Sequence, residues 1–448
     1  MSNNVALHAV RIHLSALGCR LNEAELEQWA GAFAAKGDYV TDDASSADVL
    51  VLNTCAVTTE AVRKSRQRIQ RLQRNNPSAK LVVSGCYSSL ASPESLAELG
   101  IDLIVNNADK DALVLKTREA FSTPVMPESA TVPEQSALFQ RNRQRAFIKI
   151  QDGCRYRCTF CIVTVARGAE KSRPIGVIID EVQQLADSGI HEIVLTGVHV
   201  GGYGSDLGSN LQALVKALLE HTSIERIRFA SVEPWDLSDE FLTLFGNNRV
   251  MPHMHLPLQS GSNTVLRRMA RRCKTADFAQ LVTTLREQVA DFNITTDIIV
   301  GFPGETEAEW QETLSFVDQI NFGHMHIFSY SKRDGTKAAT LPNPVEKKVR
   351  RQRSQQLHAI AAEQKVKIAQ STLVNSGDNP VDVLWETGEQ LPNGQYRHSG
   401  YTPNYLRITT ESDQNLTNLI TPTRLTGHHE HMLLGTALTP PAPENTAG

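Results

Sequence analysis

The chain has 448 residues, 41% of them hydrophobic, which is enough to bury more than one core and too long for a single compact domain. A formal net charge of −4 excludes a uniformly basic nucleic-acid binder, and no apolar run approaches the roughly twenty residues that a membrane helix needs. No basic-then-apolar leader opens the sequence, so a cytoplasmic protein is expected.

In chain order, short β-branched runs at Val10 to Leu14, Val49 to Asn53, Leu81 to Ser84 and Leu103 to Val105 alternate with amphipathic stretches. Those stretches lie near Glu23 to Ala35, Glu60 to Arg74, Pro93 to Leu99 and Lys110 to Phe121. The alternation predicts an open parallel α/β sheet domain over 1–121. A linker is expected over 122–140, because Ser122 to Glu134 is rich in Pro, Ser and Thr without periodicity.

A second alternation has strands at Ile148, Ile193 to Thr196, Ile227 to Ala230, His255 to Leu258, Thr296 to Val300 and His324 to Phe328. Six strand-helix pairs in 141–370 predict a partial (β/α)6 barrel, because a full eight-unit barrel needs about 250 residues. The charged stretch Val345 to Ala369 reads as one long helix. Over 371–440 the period shortens to strands cut by Gly, Pro and Asn turns, which predicts a small β-barrel, and 441–448 reads as a disordered tail.

Seven cysteines, an odd count with wide spacing, favour metal ligation or free thiols over disulfides. Cys154, Cys158 and Cys161 lie together after the first barrel strand. Three thiolates leave one iron of a cubane cluster open, and an open metal position can take a substrate directly. A structural zinc site would need a nearby fourth Cys or His, and a ferredoxin site a fourth cysteine followed by proline.

Cys19, Cys55 and Cys86 each follow a predicted parallel strand by a few residues, and loops at the carboxyl ends of neighbouring strands converge on one crevice. Gly18 and Gly85 allow the backbone to turn closely around a bulky group. Cys273, in the basic run Arg267 to Lys274, reads as an ordinary thiol, and His428, His429 and His431 as a polar turn.

The spacing of Cys154, Cys158 and Cys161, with Phe160 before the last cysteine, resembles the radical S-adenosylmethionine (SAM) superfamily signature. The two cysteine triads together resemble the methylthiotransferase family over nearly the whole chain. That likeness implies an auxiliary [4Fe-4S] cluster on Cys19, Cys55 and Cys86, a second [4Fe-4S] cluster on Cys154, Cys158 and Cys161, and a C-terminal TRAM domain. It also implies SAM as methyl donor and radical source and a reducing electron donor. Leu195 to Gly204, His255 to Ser262 and Thr296 to Thr306 match as well, which makes Gly197, Ser231, Gln259 and Gly301 candidates to line the SAM pocket at the carboxyl ends of barrel strands.

Within the family, Asn53 to Thr58, Gly85 to Tyr87 and Arg63 to Arg66 look most like the branch that adds a methylthio group to C2 of N6-threonylcarbamoyladenosine in tRNA, beside the anticodon. Tyr156 and the pair Thr164-Val165 depart from the common family pattern. Rival readings are methylthiolation of isopentenyladenosine in tRNA or of a ribosomal-protein aspartate, and, in another class, a non-catalytic iron-sulfur RNA-binding or redox-sensing protein.

The implied partner is a tRNA anticodon stem-loop. Arg63, Lys64, Arg66, Arg68, Arg71 and Arg74 crowd one helix, and Lys347, Lys348, Arg350, Arg351 and Arg353 another, as phosphate-neutralising clusters do. Gly400 to Arg407 resembles the TRAM motif, which makes Tyr401, Tyr405 and Arg407 candidates to stack on or contact unpaired bases.

Overall fold

The computed structural model describes residues 10–121 and 144–438. The anticipated linker (122–140) and tail (441–448) therefore lie outside the described residues.

The first domain is a five-stranded parallel sheet of β1 (Arg11–Ala16), β2 (Tyr39–Thr41), β3 (Val49–Thr54), β4 (Lys80–Gly85) and β5 (Leu103–Val105), in the order β2-β1-β3-β4-β5. Central β3 is buried along its whole length. Its Val49 and Val51 pack with Ile12, Trp29 and Phe33 on one face, while Leu50 and Leu52 pack with Ile69, Leu72 and Leu81 on the other. Burial on both faces explains why the strand reads as a continuous apolar run. The strand β2 went unpredicted, because three residues without alternation carry no periodic signal. Strand order reverses between β1 and β3, which opens a crevice at their carboxyl ends. The helix α1 (Arg20–Ala34) leaves β1 there with Cys19 as its N-cap, and α2 (Thr59–Asn75) leaves β3 with Thr58 capping Ala61 N.

The second domain opens with β6 (Arg145–Lys149) and a short antiparallel hairpin, β7 (Gln151–Asp152) and β8 (Lys171–Ser172). Five more parallel strands follow: β9 (Glu192–Thr196), β10 (Arg226–Phe229), β11 (His253–His255), β12 (Asn293–Val300) and β13 (His324–Ser329). They form two three-stranded sheets, β6-β9-β10 and β11-β12-β13, joined by the bridges Ile227↔Val250 and Ser231↔His255. The result is the expected partial barrel, with helices packed outside on Ile148, Ile193, Leu195, Ile298 and Val300. Among the described residues nothing pairs β6 with β13. Instead α1 lies against β6, where Glu27 Oε2 accepts from Phe147 N at 3.0 Å and Ala24 packs on Phe147 and Val194.

The helix Lys347–Ser376 runs seven residues past its anticipated end at Ala369. Its Leu357 and Ala361 join the core of the large barrel, and its Ala369 joins that of the small one. The small barrel comprises β14 (Val381–Trp385), β15 (Glu389–Gln390), β16 (Tyr396–Tyr401), β17 (Arg407–Ser412), β18 (Ile420–His429) and β19 (Met432–Ala437). Five of these strands close in the order β14-β18-β19-β17-β16-β14, consistent with a TRAM domain, around a fully buried Trp385 that donates to Thr421 Oγ1 at 2.8 Å. Among the described residues, closure leaves only the two-residue β15, paired to β16 alone, as an exposed edge.

Candidate active site

The loops after β1, β3 and β4 bring Cys19, Cys55 and Cys86 to the crevice of the first domain. Burial pushes the Cys55 thiol up to about 11, and the charges of Cys19 and Cys86 add to that shift, so the three sulfurs act on one another. Gly18 (φ +107°) has no room for a side chain, since a Cβ there would sit 2.8 Å from Cys55 Sγ. Gly85 (φ +104°) likewise faces the backbone of Thr54. Ser65 fixes the middle cysteine: its Oγ accepts from Cys55 N at 3.3 Å and donates to Cys55 O at 2.9 Å.

Cys154, Cys158 and Cys161 lie on the loop between β7 and β8. Cys154 N donates to Gly168 O at 3.2 Å and Cys161 N to Cys158 O at 3.0 Å. Thr159 ties the loop down, donating through N to Met269 O at 3.0 Å and through Oγ1 to Arg268 O at 2.9 Å. Burial raises the Cys154 and Cys161 thiols to about 11 and about 12. Arg271 approaches Cys158 Sγ at 3.9 Å and pairs with Glu233 at 2.7 Å.

Each set offers three thiols, and the seventh cysteine joins neither: Cys273 is buried in the barrel core with its thiol on Lys274 O at 3.3 Å. Three thiols with no fourth cysteine suit a cubane with one open iron. Metal coordination also deprotonates thiols that burial otherwise keeps protonated.

Arg167, at the end of the short helix Val163–Arg167 that follows Cys161, joins the two sets. It donates to Asn22 Oδ1 at 2.9 Å, Glu25 Oε1 at 2.9 Å and Asp152 Oδ1 at 3.0 Å, and its charge acts on Cys86 and Cys19. Glu25 also takes Lys110 at 2.6 Å and Lys149 at 3.2 Å. Three cations (Arg167, Lys110, Lys149) against two carboxylates (Glu25, Asp152) leave one positive charge in excess beside the N-terminal sulfurs. Asn107 bridges the same seam, donating to Ala166 O at 2.8 Å and lying 3.9 Å from Cys86 Sγ. The N-terminal crevice therefore opens onto the barrel mouth.

Gly197, Ser231, Gln259 and Gly301 fall at or just past the carboxyl ends of β9, β10, β11 and β12. Gly197 packs on Gln151, whose Oε1 accepts from Val198 N at 3.1 Å and His199 N at 2.9 Å. Gln259 (φ +76°) extends the pairing with β12, and Ser231 pairs with His255. Gly301 (φ +73°) makes room for the stem of Arg350, so both its left-handed backbone and this close approach favour glycine.

Sequence reasoning missed His199. It is buried beside the Cys154 loop, with Nδ1 at 2.5 Å from Glu170 Oε1 and Nε2 at 2.5 Å from Asp236 Oδ2. Burial opposes a charge there, but the bonds to Asp236 and Glu170 outweigh it and raise the imidazole's pKa. Tyr156, one of the departures from the family pattern, donates to Asp236 Oδ1 at 2.8 Å and so belongs to this network.

Of the anticipated RNA contacts, Arg63 and Lys64 stand out on α2 with side chains 61% and 62% exposed, both near Glu60, while Arg66 donates to Ser95 Oγ at 3.2 Å. Tyr401 and Tyr405 stack on each other at 4.7 Å. Arg145 lies over both rings, and Arg20 and Arg145 donate to the Tyr405 hydroxyl at 3.1 and 3.2 Å. Tyr405 thus lies in the seam between the two barrels, its hydroxyl engaged by Arg20 and Arg145. Arg407 remains half exposed, 4.0 Å from Glu386. Two of the five cations at 347–353 are also internal: Arg353 pairs with buried Glu305 at 2.8 Å and Arg350 donates to Tyr330 O at 2.6 Å. His428 bonds Glu430 O at 2.9 Å within a hairpin turn.

The family model described as the Radical SAM superfamily matches residues 148–317, and that of the uncharacterized protein family UPF0004 matches residues 11–106. Among solved structures, the radical S-adenosylmethionine methyltransferase TsrM from Kitasatospora setae superposes with a TM-score of 0.55 at 15% identity, covering 74% of this chain and 77% of that one. The partial barrel with its matched domain is that of a radical SAM enzyme, a class that carries a [4Fe-4S] cluster and SAM. The threonylcarbamoyladenosine tRNA methylthiotransferase MtaB of Bacillus subtilis (strain 168) is 35% identical over 419 residues, 91% of this chain and 92% of that protein. The tRNA-2-methylthio-N(6)-dimethylallyladenosine synthase of Caldicellulosiruptor saccharolyticus is 37% identical over 375 residues, 81% of this chain and 80% of that protein. The chain belongs to the radical SAM methylthiotransferase family. No helix among the described residues is long and apolar enough to cross a membrane.

Proposed function

We propose that this enzyme adds a methylthio group to C2 of N6-threonylcarbamoyladenosine beside the anticodon of a cytoplasmic tRNA. In this reading Cys154, Cys158 and Cys161 hold the cluster that binds SAM, and Cys19, Cys55 and Cys86 hold an auxiliary [4Fe-4S] cluster. When bound, these groups and an external reductant supply the radical, methyl and sulfur chemistry.

The chain's own residues align the two centres. Arg167 locks the barrel's cysteine loop to Asn22 and Glu25 beside the N-terminal crevice, which supports a transfer between the two sulfur sets. The excess positive charge of Arg167, Lys110 and Lys149 favours anionic sulfur in the N-terminal crevice. Arg271 does the same for Cys158. The rim residues Gly197, Ser231, Gln259 and Gly301 are proposed to line the SAM pocket, with α2 beginning four residues after Cys55 and presenting Arg63 and Lys64 to the RNA backbone. The bridge made by Arg167 is the observation that carries the reading, because transfer between two centres requires that they face each other.

Mass spectrometry of tRNA nucleosides from cells with and without the gene tests it. Loss of the methylthio derivative of threonylcarbamoyladenosine is expected. Loss of the dimethylallyl derivative alone would move the enzyme to the other substrate, and an unchanged profile would overturn the tRNA reading.

A further inference from the structure

The interior of the partial barrel is layered. On β12 the residues Ile294, Ile298 and Val300 pack outward under the helices, so Thr295, Asp297 and Ile299 face the lumen. Register then places His255 opposite Thr295, His326 opposite Asp297 and Phe328 opposite Ile299. At the floor, Glu192 is buried among Arg145, Arg226 and Arg228, with Tyr405 lying under Arg145 and Arg228.

Above that floor lies a polar layer: His253, His255, Thr295, Asp297, His324 and His326. Thr295 Oγ1 bonds His253 Nε2 at 3.1 Å and His255 Nδ1 at 2.9 Å, while His255 Nε2 lies 3.2 Å from Asp297 Oδ1. The His324 and His326 rings meet edge to face at 4.6 Å. His326 is exposed, and Phe328, stacked on it towards the mouth, is 45% exposed. Across the lumen Arg20, exposed and next to Cys19, lies over the Phe147 ring at 5.0 Å and donates to the Tyr405 hydroxyl, whose ring lies 4.8 Å from that of His253, and its charge acts on both His253 and His326. The layer on β11, β12 and β13 thus holds donors and one carboxylate, while Phe147, Val194 and Ala24 make an apolar wall on the β6 and β9 side.

We infer that this layer selects the N6 substituent of the adenosine, with His326 and Arg20 receiving a carboxylate and Asp297 accepting a neighbouring N–H. The inference rests on the proposed function and deepens it. A purine laid on Phe328 presents one six-ring edge that carries both C2 and the N6 group, so a C2 turned to the cysteine sets leaves the substituent to meet the histidines. A threonylcarbamoyl group brings ureido N–H groups, a hydroxyl and a carboxylate to this layer. A dimethylallyl group brings only hydrocarbon, which would strand the polar atoms without partners.

The test takes the reconstituted holoenzyme, without reductant for binding and with it for turnover, against three anticodon stem-loops. They carry threonylcarbamoyladenosine, its methyl ester and dimethylallyladenosine. The acid is expected to bind about tenfold or more tightly than the ester, as for a hydrogen-bonded charge. Both His326→Phe and Arg20→Met should bring that ratio close to one, raising KM for the acid RNA more than they lower kcat. Equal binding of acid and ester by the wild-type protein would overturn the inference while leaving turnover of the threonylcarbamoyl RNA intact. A ratio that persists in both variants would also overturn it. Turnover of the dimethylallyl RNA alone would remove it together with the proposed substrate.

Discussion

Arg167 and Asn22 are hydrogen-bonded at 2.9 Å, although one belongs to the barrel and the other to the N-terminal sheet domain. Asn22 in turn donates to Leu17 O and Thr54 O, the segments that lead into Cys19 and Cys55. One guanidinium therefore sets the orientation of both cysteine sets.

Replacing Arg167 by Met is expected to destabilise the protein by about 3 kcal/mol, because buried Glu25 and partly buried Asp152 lose a partner. Lys110 and Lys149 remain on Glu25, which keeps the cost at the low end of the range for broken buried pairs. Chemical denaturation of wild type and variant measures it. A loss under 1 kcal/mol would mean that the lysines carry the network.

Gly18→Ala should strip the N-terminal site alone. The added Cβ meets Cys55 Sγ in a backbone conformation that alanine resists. After anaerobic reconstitution, iron per chain should fall by about half, the share of one of two equal clusters, while SAM cleavage to 5'-deoxyadenosine persists. Full iron content would show that the crevice tolerates the methyl group.

The His199 network should make stability fall on the alkaline side. Its folded pKa is raised above the ordinary 6.5, so the charged form's contribution is fully present below that value and is lost as pH rises through the folded pKa. Thermal unfolding from about pH 6 to about pH 9 should show the decline in wild type and a flatter profile in His199→Gln. Parallel profiles would remove the imidazolium from the account.

Tyr405→Phe deletes the oxygen that accepts from Arg20 and Arg145. A loss of about 2 kcal/mol is expected, as for hydrogen bonds to charged groups, together with faster proteolytic release of the small barrel. Unchanged proteolysis would place the docking energy elsewhere, for instance in the Asn293 to Asn404 O bond at 2.8 Å.

Converting Arg63 and Lys64 together to Gln should lower the salt dependence of RNA binding by about two phosphate contacts. Anisotropy titrations of a stem-loop over a range of salt concentrations give the slope. No change would mean that the exposed face of α2 is only solvated.

The convergence of Cys19, Cys55 and Cys86 was readable because parallel strands bring the loops at their carboxyl ends to one side. Arg167 and His199 were not, since their partners lie far away in the chain: Asn22 is 145 residues from Arg167, and Asp236 is 37 from His199. Arg353 was readable in principle. With Leu357 it follows the helical period of the buried face, a signal that the run of charges concealed. Tyr405 sits in a recognisable motif, but no local pattern reveals that a second domain covers it.

The helix Lys347–Ser376 is about 45 Å long and shares its residues between two cores. Near its start the stem of Arg350 presses on Gly301, at the end of β12; near its far end Ala369 is sealed into the small barrel. It acts as a rigid spar, and with Arg226, Arg228 and Asn293 bonded to the C-terminal module it holds that module at a fixed distance from the β12 rim.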